Sequence, residues 1–86
     1  MTITVEQLNE AAQIVGESDT VRAAAALIRQ RLAPVHTLVL DAFDMRDETP
    51  VIQVDKRSVY LMSTDGHCWS VTPELDRASA LVLTQG

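Results

Sequence analysis

The sequence predicts an α+β fold: an N-terminal helix pair packed on a small, mainly antiparallel sheet of three to five strands, with a short helix before the last strand. Three observations carry that expectation. Apolar residues recur at helical spacing as far as Leu32 and in strand-like runs beyond it. Pro34 stands where the period changes. Asp65-Gly66 separates two runs of strand-forming residues, the strongest short-range signal of a β-hairpin.

Thr4 and Gln7 have the spacing of a capping box, in which each side chain bonds the other's backbone N–H. Val5, Leu8, Ala12 and Val15 then share one helical face, and Gly16 suits a C-terminal stop, which predicts a first helix over residues 5–15. Ser18 or Asp19 is placed to cap a second helix with the apolar stripe Val21, Ala24, Ala25, Ile28 and Leu32, ended by Pro34. Arg29 and Arg31 complement the dipole at its C-terminal end. The alanines at 23–26 allow another element to approach closely.

Strands are expected at Val35–Leu40, Val51–Val54, Ser58–Thr64, His67–Thr72 and Ala80–Thr84. Thr72-Pro73-Glu74 has the cap, proline and acid of a helix start, with room for one or two turns. Ala80–Leu83 reads as an edge strand, and an apolar edge invites pairing with another chain.

With a two-residue turn at Asp65-Gly66, Thr64 faces His67, Ser63 faces Cys68, Met62 faces Trp69, and Tyr60 faces Val71. Alternation then places Tyr60, Met62, Trp69 and Val71 together on the expected core side, with Val59, Leu61, Cys68 and Ser70 on the other. His67 and Cys68 point in opposite directions in that arrangement, which argues against a cysteine–histidine catalytic pair.

Composition narrows the function. The 86 residues are expected to form one domain, 1–86, and 47% hydrophobic content is enough to fold. A lone cysteine makes no internal disulfide. The formal net charge of −5 disfavours nucleic acid and anionic membrane surfaces as partners. No apolar run nears the ~20 residues of a membrane span, and the first residues lack a secretory pattern, so a cytoplasmic setting is expected. Helix 1, its turn and helix 2 resemble a helix-turn-helix unit in outline, and Arg22 and Arg29 share a face. The second helix, however, lacks polar side chains for reading base edges.

No glycine-rich phosphate loop, G-x-S-x-G or paired-histidine helix motif is present, so no catalytic residue, cofactor or metal ligand is nominated. His36, His67 and Cys68 match no metal-ligand spacing. Asp41, Asp44, Asp47 and Glu48 lack the glycine and spacing of a calcium loop. With Phe43 and Met45 as apolar anchors, that acidic loop is instead a candidate for docking a basic partner. Leu81 and Leu83 on the expected edge strand complete the candidate interaction residues. The leading expectation is a non-enzymatic interaction or accessory protein, self-associating through a sheet edge or face, whose partner is another protein or a second copy. The alternative is a small-ligand or metal-binding domain, thiol-dependent in its enzymatic form, centred on His67, Cys68 and Trp69.

Overall fold

The computed structural model describes residues 3–33, 35–64 and 69–85. Two helices, α1 (Val5–Glu17) and α2 (Val21–Arg31), pack on a five-stranded, mostly antiparallel sheet, the predicted α+β architecture. The strands are β1 (His36–Val39), β2 (Ile52–Val54), β3 (Arg57–Thr64), β4 (Trp69–Val71) and β5 (Ala80–Gln85). Short 3-10 helices at Ala42–Met45 and Leu75–Arg77 follow β1 and precede β5.

The capping box forms as read: the Gln7 N–H donates to Thr4 Oγ1 at 3.1 Å, and the Thr4 N–H donates to Gln7 Oε1 at 2.9 Å. Ile3 and Leu8, flanking the cap at N′ and N4, are both buried in one core, the arrangement of a hydrophobic staple. The buried face of α1 is Leu8, Ala11, Ile14 and Val15; Val5, expected on it, is 58% exposed because Ile3 supplies the contact before the first turn. The helix also runs through Gly16 and stops at Ser18, whose N–H and Oγ both donate to the Ile14 oxygen. Ser18 is thereby spent on closing α1, and Thr20 caps α2 by accepting from the Ala23 N–H at 3.1 Å. The α2 stripe Val21, Ala24, Ala25, Ile28 and Leu32 is buried throughout, as expected. Pro34 lies outside the described residues.

The sheet order corrects one reading. β5 is the central strand, parallel to β1 on one side and antiparallel to β3 on the other. Leu81 and Leu83 are fully buried, so this segment is not an edge. The opposite edge of β3 is divided between two short strands, β2 along Arg57–Val59 and β4 along Met62–Thr64. Between them, the Val51 and Thr72 N–H groups donate to the Val59 and Leu61 oxygens.

Both sides of the sheet are buried at β3 and β5, and the larger, helix-facing core lies on the side opposite to the one expected. Val59 and Leu61 pair with Leu83 and Leu81, and these four face the helices in the main core. Burying leucine- or valine-sized side chains there contributes about 1.5–3 kcal/mol each. Tyr60 and Met62 lie on the other side, in a smaller cluster with Ala80, Val82 and Met45.

The β3–β4 hairpin forms with a register two residues away from the expected one. Met62 pairs with Val71, Ser63 with Ser70 and Thr64 with Trp69, so four residues rather than two separate the last pair. A shift of two preserves alternation, and Tyr60, Met62, Trp69 and Val71 still share a face. His67 and Cys68 lie outside the described residues, and so does the expected opposition of their side chains.

Candidate protein-docking face

The side of the sheet away from the helices is partly covered by the segment after β1. Asp41 starts it by accepting the Phe43 N–H at 3.1 Å, and the chain makes a 3-10 turn in which Asp44 N–H donates to the Asp41 oxygen. Met45 is the inward residue of that turn, 6% exposed and packed with Tyr60, Met62 and Val82. This corrects its reading as a surface anchor: Met45 fixes the loop to the sheet. Phe43 is 67% exposed, and the Arg46 guanidinium lies 4.1 Å from its ring centroid. Arg46 also donates to the Phe43 oxygen at 2.9 Å. Asp41, Asp44, Asp47 and Glu48 are all exposed around this turn.

Two depressions run between this loop and β4. The first, about 410 Å³, has Met45, Met62 and Val71 with Trp69, Asp44 and Glu48 around it. The second, also about 410 Å³, is lined by Asp47 and Thr49 with Pro50 and Pro73, and shares Glu48 and Val71 with the first. The structure therefore joins residues that the sequence reading kept in separate candidate sites. Trp69, from the His67–Cys68–Trp69 cluster, stands beside the acidic loop and is 49% exposed. Met62 and Val71 were read as core and prove to line the groove as well. Neither depression has a lysine or arginine in its lining.

Two further apolar side chains are exposed on this side of the sheet, on and just after β1. Val35 and Val39 pack toward the helices, so alternation turns Leu38 to the opposite side with its pair Val82, and Leu40 follows. Leu38 and Leu40 are 43% and 39% exposed. Their signal in the sequence is Leu38 and Leu40 two positions apart, on the side of the strand opposite Val35 and Val39.

The remaining candidates are placed differently. Leu81 and Leu83 are inaccessible in the sheet centre. Arg22 and Arg29 do flank one depression beside β1, but Arg29 Nε and Nη2 both donate to the Thr37 oxygen, at 3.0 and 2.8 Å. Among the described residues no group of three His, Cys, Asp or Glu is placed to hold a metal ion, and no helix is long and apolar enough to cross a membrane. No protein-family model, curated protein or solved structure matches the chain.

Proposed function

We propose that this chain is a non-enzymatic protein-interaction module that docks a partner protein on the sheet face opposite its helices. One observation carries the reading. Of the six large apolar side chains exposed among the described residues, four (Leu38, Leu40, Phe43 and Trp69) lie on that side of the sheet or on the loop that covers it. Apolar residues gathered on one face mark interaction surfaces, whereas scattered ones do not.

Docking by the face is favoured over docking by an edge. The Leu40 N–H donates to the Leu83 oxygen, so by alternation the backbone groups of Thr37 and Val39 point outward from β1. Arg29 already occupies the Thr37 oxygen, which interrupts the ladder an added strand needs. A second copy is disfavoured as the occupant of the face. Two-fold pairing through this patch would bring the acidic loops of both copies together, and like charges there cost affinity. The thiol or metal reading of His67, Cys68 and Trp69 has a single described member, Trp69, and that residue belongs to the groove.

Site-specific photo-crosslinking in the native host tests the reading. A benzophenone amino acid replacing Leu38, Phe43 or Trp69 should trap a common protein partner. The same probe at Gln13 or Gln30, exposed on the two helices, should trap none. Adducts from the helix positions alone, or from no position, would contradict it.

A further inference from the structure

We propose that the groove between the acidic loop and β4 holds an arginine side chain from an extended, basic segment of the partner, its guanidinium stacked on Trp69 and bonded to Asp44 and Glu48. This inference rests on the docking-face reading and specifies the partner's chemistry. Three features of the groove support it.

The first is the combination of surfaces. A depression of about 410 Å³ lies within the ~300–1,000 Å³ range of ligand pockets. Its methionine and valine side chains suit an aliphatic stem, its indole suits a flat cation, and its carboxylates suit the charge. An arginine is the side chain that presents all three requirements together, since its three-carbon stem ends in a planar fork. Lysine carries the charge without the plane.

The second feature is that these groups have no cation among the described residues. Asp44 and Glu48 form no ion pair there, the one such pair being Arg77 with Glu74. No described cation lies over the Trp69 ring either. Arg46 is the nearest arginine in sequence, and it is committed to Phe43 through its ring and its carbonyl.

The third feature is that the same loop already shows the contact in small. Arg46 over Phe43 is an arginine–aromatic stack on an exposed surface, between a weaker π-face than indole and a guanidinium flanked by acids in sequence. The Trp69 groove offers the stronger half of that interaction to an incoming residue. The adjoining depression, with Asp47, Pro50 and Pro73 in its lining, then receives the residues on one side of the arginine.

Trp69 is the only tryptophan, so its emission reports directly on the groove. The test is a titration at low ionic strength with the capped peptide Ac-Ala-Arg-Ala-Arg-Ala-amide and with its citrulline counterpart, which keeps the shape and loses the charge. Saturable binding of the arginine peptide is expected, with the citrulline peptide about tenfold weaker. The double variant Asp44→Asn/Glu48→Gln should lose about the same factor, while Glu6→Gln/Glu10→Gln, an equal charge change on α1, should leave affinity unchanged. Equal binding of the citrulline peptide, or an equal loss in the Glu6/Glu10 variant, would overturn the proposal. Absence of arginine-peptide binding with crosslinks at Leu38, Phe43 and Trp69 intact would overturn this inference alone. Absence of both would remove the docking-face reading with it.

Discussion

The Arg57 guanidinium donates to the backbone oxygen of Val15 at 2.8 Å, across 42 positions of sequence. It also donates to the oxygens of Ser18 and Asp19, and its Nε holds Gln85 Oε1 at 2.8 Å. One side chain at the start of β3 thus satisfies carbonyls left open at the end of α1 and ties the helix connector to two strands.

Replacing Arg57 with alanine should lower the unfolding free energy by about 2 kcal/mol, as expected for charge-assisted bonds lost from a half-buried site. Lysine should recover less than half of that, because a single ammonium cannot span the same set of acceptors. Urea denaturation of the three proteins measures both effects.

Gly16 and Val54 meet at the same end of α1. A Cβ built on Gly16 lies 3.3 Å from Val54 Cγ1, slightly tight but against a half-buried side chain on a three-residue strand beside an open depression. Val54 has room to move by the few tenths of an ångström required. Gly16→Ala should therefore raise stability by about 0.5 kcal/mol through helix propensity, and Gly16→Val should lower it. Thermal melts of the two variants check the opposite signs.

Thr37 is 3% exposed, and its hydroxyl finds no hydrogen-bond partner among the described residues. Thr37→Val keeps the shape, retains a β-branched residue on β1 and removes a buried unsatisfied group. A gain of about 1 kcal/mol in urea denaturation is expected, and a loss would show that the hydroxyl is satisfied in solution.

These relationships differ in how far the sequence discloses them. The α2 stripe and the Thr4 capping box are local, set by residues three to eleven positions apart, and both were legible. The face of α1 was read too far toward its N-terminus because Ile3, outside the helix, takes the place assigned to Val5. The central position of β5 had a signal that was misjudged: Ala80 to Thr84 is an unbroken buried run, the pattern of a strand covered on both faces rather than of an edge.

The helix-facing side of β3 depends on its pairing with β5, since Leu81 and Leu83 bring Leu61 and Val59 to the helices with them. Side-chain size along the hairpin pointed instead to Tyr60 and Met62. Arg57 had no local signature, because its acceptors are mostly backbone oxygens far away in sequence. The groove was half legible. Its acidic loop and Trp69 each stood out, but 20 or more positions separate them, and they meet through the packing of Met45 on the sheet and the pairing of β4 with β3.

The most direct measurement of the docking groove is a two-dimensional amide NMR titration of the intact chain with the arginine peptide. The largest shifts should fall on Asp44, Glu48, Ser70, Val71 and the Trp69 indole N–H, with α1 and α2 unchanged. Shifts centred on Arg22, Gln30 and the outer face of α2, or spread evenly over every acidic residue, would contradict it.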